Sequence, residues 1–146
     1  MKSIWQKSSR ENLESRLDKL GANTQPKWGK FTAPQMVCHL IESLRMGLGD
    51  LDVPARKTPF KRFPLKQIII YVAPFPKGAP TAPELLAREP QEWNGEVTAL
   101  KNLLGSFAGG SYKSFPEHPA FGKLSRRAWG VLIYKHMDHH LRQFGV

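Results

Sequence analysis

The sequence predicts an all-α protein that forms a four-helix bundle in up-down-down-up order. Two observations lead to this fold. Four segments of the 146-residue chain repeat apolar residues at the spacing of an amphipathic helix. Residues 50–90, which separate the second segment from the third, contain eight of the twelve prolines. A proline-rich crossover of that length can return the chain along the bundle, so that helices two and three run parallel.

The first two helices carry sequence signals for their start. Three leucines spaced by four and three residues place helix one over residues 8–20, with a capping box at Ser8 and Glu11. Helix two begins at Thr32, which forms a second capping box with Gln35 and has proline in its first turn. The apolar face of helix two consists of Met36, Val37, Leu40, Ile41, Leu44 and Leu48.

The last two helices are predicted from longer apolar stripes. Helix three opens near Glu89 and Pro90 and ends at Gly109 and Gly110, with a stripe formed by Trp93, Val97, Leu100, Leu104 and Phe107. Helix four runs from Ser125 to about Phe144. Its stripe has the most regular spacing in the chain and consists of Trp129, Leu132, Ile133, His136, Met137, His140, Leu141 and Phe144.

The crossover is basic and partly apolar. Leu65–Ala73 fits either a short helix or a buried strand, and we favour a helix because no second strand is predicted to pair with it. Residues 56–77 contain six Lys and Arg, no acid, and interleaved aromatic rings. Three interpretations stay open: the rings pack on the bundle, the cations attract an anionic small molecule, or both bind single-stranded nucleic acid.

Composition limits the class of protein. The chain is long enough for one domain, residues 1–146, and its 40% hydrophobic and 23% charged residues are typical of a globular protein. The net charge of +10 favours anionic partners without choosing among them. With a lone Cys38, no apolar signal segment at the N-terminus and no run long enough to span a bilayer, a cytoplasmic location without membrane contact is expected.

Three histidines form a candidate metal site. A helix turns about 100° per residue, so His136 and His140 share the apolar face of helix four. Inward imidazoles are costly to bury without a partner, and a pair at this spacing can bind one metal ion. His39, within the apolar stretch of helix two, is the available third ligand. Ordinary hydrogen-bonded core histidines remain the alternative.

The same residues carry a resemblance to a known family. His39 on the second helix, with His136-Met-Asp-His-His140 and the following Gln143 on the last, resembles the DinB-like (YfiT-like) superfamily. The residues His118 to Ser125, Trp129-Gly130 and Tyr134-Lys135 are similar to an uncharacterised branch of it. The early Trp28-Gly29-Lys30-Phe31 also fits, whereas the proline-rich crossover matches only loosely.

The resemblance implies the bundle topology and a divalent metal, nickel or zinc, held by His39, His136 and His140. Characterised relatives include transferases and isomerases that use a low-molecular-weight thiol. The resemblance therefore implies a metal-dependent, thiol-using transferase or isomerase, or a related hydrolase. The basic charge of the chain adds a small anionic substrate or thiol as the expected ligand. It does not imply DNA binding. The alternative function is a non-catalytic protein whose basic surface contacts nucleic acid or another polyanion.

The direction of each remaining side chain around its helix decides whether it can join the metal site. His139 lies off the stripe and matches no ligand position. Cys38 points away from His39 and is expected to be a small core residue. Three further side chains are assigned from position: His118 lines the pocket mouth or shapes a turn, whereas Glu42 and Ser43 orient His39 or a bound water. Asp138 is expected to be solvated.

A homodimer is the expected assembly. The apolar residues Ile4, Trp5, Val131 and Tyr134 lie off the predicted inward faces, so either the crossover or a second subunit must cover them. Two-fold pairs are the commonest closed assemblies, and DinB-like proteins are often dimers.

Overall fold

The computed structural model describes residues 1–110 and 114–146, and within these ranges the chain is helical and contains no strand. The five α-helices are α1 (Lys7–Leu17), α2 (Ala33–Leu48), α3 (Leu65–Gln67), α4 (Trp93–Gly109) and α5 (Arg126–Gln143). The three-residue α3 continues as a π-helix over Ile68–Val72, and single 3₁₀ turns occur at Pro59–Lys61 and Pro83–Leu85. The predicted all-α class is confirmed.

The four longer helices pack around one apolar core. α2 lies along α4 and also contacts α5, while α1 packs against α5 and α4. Gly47 lets α2 lie close to α4, because a Cβ atom there would lie 2.8 Å from the Phe107 ring. The most deeply buried side chains of this core are Leu13, Leu17, Met36, Leu40, Leu44, Leu100, Leu104, Phe107, Trp129 and Leu141. None of the helices in the described ranges has the length and hydropathy needed to cross a bilayer.

The helix boundaries differ from prediction at α1. Its N-cap is Gln6, with no side-chain cap, so the predicted capping box at Ser8 and Glu11 is wrong. The helix ends at Leu17 instead of Leu20, because Lys19 and Leu20 donate to carbonyls only three residues back. Such tighter turns close a helix and do not extend it.

The other three long helices start at side-chain caps. The predicted box at Thr32 and Gln35 is present on α2. α4 begins at Trp93, three residues after the predicted opening at Pro90, because the Glu92 carboxylate accepts hydrogen bonds from the N–H groups of Asn94 and Gly95. α5 starts where expected, with the Ser125 hydroxyl accepting from the Ala128 N–H.

The crossover covers part of α5. Leu65–Val72 is helical, as favoured from the sequence, and Ile70 is buried against Phe121, Val131 and Leu132. Lys135 of α5 fixes the end of this segment by donating to three of its carbonyls at 2.5–3.1 Å. Charge and backbone dipole thus hold the crossover in place.

The residues that motivated a dimer are covered within one chain. Val131 packs under the crossover and Tyr134 is buried in the main core. Ile4 is fully buried and its N–H donates to the Gly130 carbonyl, and Trp5 packs against the same core. These residues therefore do not require a second subunit.

Candidate metal centre

The structure brings the three predicted histidines together. Nε2 of His136 lies 3.1 Å from Nε2 of His39 and 3.2 Å from Nε2 of His140. One nitrogen from each ring falls within 4.8 Å of the other two. His39 comes from α2 and the other two from α5, where the i, i+4 spacing stacks them one turn apart.

Hydrogen bonds on the outer nitrogens aim the rings. Nδ1 of His39 lies 3.4 Å from the Leu85 carbonyl, and Nδ1 of His140 lies 2.8 Å from Oε1 of Gln143. Because both partners are acceptors, the ring protons are on Nδ1 and each Nε2 presents a lone pair. The Gln143 orientation is fixed in turn, since its Nε2 donates to the Trp28 carbonyl at 2.9 Å.

Glycine is required beside this amide. Gly29 has φ of +80°, a conformation that residues with a Cβ atom rarely adopt, and a Cβ atom there would collide with Nε2 of Gln143. The chain before α2 can therefore approach the end of α5 closely. The Trp28–Gly29 segment positions His140 through Gln143.

Burial keeps the imidazoles neutral. It lowers the pKa of His39 from 6.5 to about 4 and the pKa of His140 to about 3. The pKa of His136 is also lowered, first by burial and then by the other two histidines. Neutral imidazole is the form that binds metal ions.

The donor set fits a divalent cation. His136 can give one Nε2 proton to only one of two facing lone pairs, so a metal-free cluster leaves an acceptor unmatched. At zinc–nitrogen distances of 2.0–2.1 Å, two ligands of a tetrahedral ion lie about 3.3 Å apart. The observed separations of 3.1 and 3.2 Å are close to that value. Imidazole nitrogens suit zinc, nickel, copper and iron.

The cluster lies in the wall of a cavity of about 540 Å³. The lining is largely apolar and aromatic and includes Phe31, Phe75 and Phe121. Among the described lining residues there are two cations, Lys30 and Arg56, and no carboxylate. The cavity therefore presents imidazoles, aromatic rings and positive charge.

The neighbouring histidines take other positions. His139 lines the outer part of the cavity between Trp28 and Phe75 and is absent from the cluster that could hold a metal. His118 was predicted either to line the pocket mouth or to shape a turn, and it does both. It lines the cavity, and its Nδ1 accepts hydrogen bonds from the N–H groups of Ala120 and Phe121 in the turn before α5.

Two residues proposed to orient His39 act elsewhere. Ser43 donates to the backbone carbonyl of His39 at 2.8 Å, not to its ring. Glu42 is buried and pairs with Arg88 at 2.7 Å and with Arg45 at 3.2 Å. The expectation for Glu42 is therefore wrong, because these arginines occupy its carboxylate.

Sequence reasoning missed the role of Arg88. Its guanidinium makes two hydrogen bonds to Glu96 at 2.6 and 2.7 Å, in addition to the bond to Glu42. This network fixes the end of the crossover against α2 and α4, three residues from the Leu85 carbonyl that meets His39. The available sequence signal was the presence of Glu42 and Glu96 within two helices predicted to pack together, since a buried acid needs a cationic partner.

Cys38 and Asp138 complete the comparison. Cys38 is buried, donates to the Arg88 carbonyl at 3.2 Å and has a pKa raised chiefly by burial, as befits a core residue. Asp138 was expected to be solvated, which is wrong: it pairs with Arg16 at 2.7 Å and with Arg142 at 2.9 Å. The Arg16 pair ties α1 to α5.

Comparison with known proteins places these features in a family. The family model of the DinB superfamily matches residues 7–144, which include the three clustered histidines and Gln143. Searches of curated proteins and of solved structures each gave no match. The match covers nearly the whole chain, and the protein therefore belongs to the DinB superfamily, a metal-binding group.

Proposed function

We propose that this protein is a divalent-metal-dependent enzyme of the YfiT-like kind, with His39, His136 and His140 as the ligands. The observation that carries the proposal is the convergence of three Nε2 atoms in the wall of a substrate-sized cavity. Nickel or zinc is the expected metal. The proposal includes an up-down-down-up order of the four longer helices and, because Cys38 is a lone free cysteine, a cytoplasmic location.

The donor set leaves room for catalysis. Three imidazoles without a protein carboxylate leave coordination positions open, and a bound divalent ion would lower the pKa of a thiol or water and polarise a substrate oxygen. Gln143 and the Leu85 carbonyl hold His140 and His39 in the binding orientation. The aromatic lining excludes water from the reacting groups.

The proposed reaction is a thiol-dependent transfer or isomerisation. A low-molecular-weight thiol that carries carboxylates would suit a cavity with Lys30 and Arg56 and no described acid. The described lining residues also offer no carboxylate as a general base, so proton transfer falls to neutral imidazoles such as His139 or to the activated thiol itself.

Metal content tests this proposal. Protein purified without a chelating column is expected to contain about one divalent ion per chain by elemental analysis. His136→Ala is expected to lose that ion and keep its helical circular dichroism. His139→Ala is the matched control, because its ring neighbours the cluster without joining it. Wild-type protein without metal, or equal loss from both variants, would contradict the proposal.

A second function is favoured by the surface of the crossover. Lys57, Lys61 and Arg62 are exposed beside Phe63, whose exposed fraction is 82%. Cations and an exposed ring together suit a non-catalytic polyanion-binding surface, with single-stranded nucleic acid as one ligand. Salt-sensitive retardation of an oligonucleotide, lost in Lys61→Ala/Arg62→Ala, would support this function.

A further inference from the structure

The helical segment of the crossover exposes apolar side chains on one face. Leu65, Ile68 and Val72 are 41–77% exposed, and their spacing of three and four residues stacks them along the same side of the segment. Ile70 lies on the opposite side and is buried. Phe63, also exposed, lies within the turn that leads into the segment. Exposed apolar residues grouped in this way mark a contact surface.

Exposed cations precede this apolar face. Residues 56–77 contain no acid, and Lys57, Lys61 and Arg62 are exposed. None of these three side chains forms an ion pair with another described residue. Their charges are therefore available to an anionic partner.

Two more exposed cations flank the segment from the chain around the start of α5. The Lys66 ammonium donates to the Lys123 carbonyl at 2.5 Å, and the Arg127 guanidinium lies 5.9 Å from the centre of the Tyr71 ring. Lys123 and Arg127 are both exposed. The apolar face therefore has cations near both of its ends.

This combination matches an anionic phospholipid bilayer. Lys and Arg clusters are attracted to anionic head groups, while apolar side chains on a helical face bury at the boundary between head groups and acyl chains. Single-stranded nucleic acid uses the same charges but stacks its bases on aromatic rings, and Leu65, Ile68 and Val72 offer no ring. A bilayer therefore accounts for the three aliphatic side chains, and nucleic acid does not.

We propose that the apolar face of the crossover and the cations around it form a peripheral binding surface for an anionic phospholipid bilayer. The proposal rests on the polyanion-binding function of the crossover and deepens it by naming the partner. It replaces the expectation of no membrane contact, which considered only a segment long enough to span a bilayer. In lipid-free solution a second copy can cover the same residues, so the expected homodimer and the bilayer compete for them.

Co-sedimentation with vesicles tests the surface, with the protein kept dilute so that self-association does not compete. Vesicles of phosphatidylcholine alone are compared with vesicles that also contain about 30% phosphatidylserine. Wild type is expected to bind the anionic vesicles at least about tenfold more tightly, because each cation near such a surface contributes about fivefold in affinity. This preference should weaken as the salt concentration rises.

A charge variant tests the contribution of the cations. Lys61→Ala/Arg62→Ala is expected to lose about 25-fold in affinity for the anionic vesicles, at about fivefold for each cation. Lys7→Ala/Lys19→Ala is the matched control, because these exposed lysines near the two ends of α1 lower the net charge by the same amount. The control should bind within about threefold of wild type, since distant charges are screened.

An apolar variant separates a bilayer from nucleic acid. Val72→Ser changes a side chain that is mostly exposed, so the helical circular dichroism should not change. It is expected to lose at least about fivefold in affinity for the anionic vesicles, and to bind a single-stranded oligonucleotide as wild type does. Leu86→Ser, which removes an exposed apolar side chain elsewhere in the chain, is the control and should bind vesicles as wild type does.

The outcomes separate the bilayer from other polyanions. Equal affinity for the two kinds of vesicle, or unchanged affinity in Lys61→Ala/Arg62→Ala or in Val72→Ser, overturns the proposal. Retardation of the oligonucleotide without binding to anionic vesicles overturns the bilayer as partner and leaves the polyanion-binding function in place. Binding to neither ligand overturns both.

Discussion

Replacing Gln143 by leucine is expected to weaken metal binding without touching a ligand. Gln143 is 5% exposed, and its amide joins Nδ1 of His140 to the Trp28 carbonyl through bonds of 2.8 and 2.9 Å. Leucine has a similar size and makes neither bond. The His140 ring then loses the contact that directs Nε2 toward His136.

The expected magnitude follows from these contacts. Loss of an outer partner of a metal-bound histidine reduces metal affinity by about 10- to 100-fold. The buried His140 Nδ1–H also loses its partner, at about 1–3 kcal/mol, whereas the carbonyl of the half-buried Trp28 loses less because water can reach it. Zinc affinity is measured by competition with a chromophoric chelator, and the free energy of unfolding by urea titration. The exposed Gln67→Leu is the control and should change neither quantity.

Gln143→Glu separates the two hydrogen bonds. A glutamate oxygen can still accept from His140, but the side chain can no longer donate to Trp28. This variant is expected to keep more zinc affinity than Gln143→Leu. Equal loss in both variants would assign the effect to the Trp28 contact, and zinc affinity within about threefold of wild type in a folded Gln143→Leu would refute the reasoning.

Three further predictions follow from the buried charges and the surface. Arg88→Met is expected to destabilise the fold by about 3–5 kcal/mol, because Glu96 stays buried without a cation and Glu42 keeps only Arg45. The exposed Arg56→Met should cost under about 1 kcal/mol in the same urea titration. In metal-free protein, the lowered pKa of His39 means that the unfolded chain binds more protons than the folded chain between about pH 6.5 and pH 4. The contribution of His39 to the free energy of unfolding therefore falls by about 2 kcal/mol from pH 7 to pH 5. A urea midpoint that does not change over that range would contradict this. Because the residues that motivated a homodimer are covered, the dimer interface is expected to use exposed apolar residues such as Phe63 and Val72, which are 82% and 77% exposed. Light scattering should give about twice the chain mass of 16.5 kDa, and Phe63→Ser should lower the measured mass. A monomer at high concentration would contradict the prediction.

The helices and the histidine positions could be predicted because they depend on local spacing. A turn of about 3.6 residues places His136 and His140 on the same face whatever surrounds them. The cap signal of Thr32 likewise acts within three residues and was recognised correctly, and α5 begins next to Ser125 as predicted. The misplaced starts of α1 and α4 show where local signals compete, since Ser8 resembled a cap but lies inside the helix.

The contacts around the cluster were decided by tertiary structure alone. Leu85, Arg88 and His118 lie in short turns and loops whose paths carry no periodic signal. Leu85 meets His39 and Arg88 meets Glu42, each 46 residues away in sequence, and which carbonyl meets His39 depends on how the crossover closes over α2 and α4. Asp138, which was predicted to be solvated, instead pairs with Arg16, 122 residues away in the chain.

The sequence by itself determined the all-α class, the stripe on α5 and the three histidines, because each follows from residue spacing along a helix. The tertiary structure decided the tautomers of His39 and His140 and the network around Arg88. These depend on hydrogen bonds between distant segments, whose geometry is set only when the whole core packs.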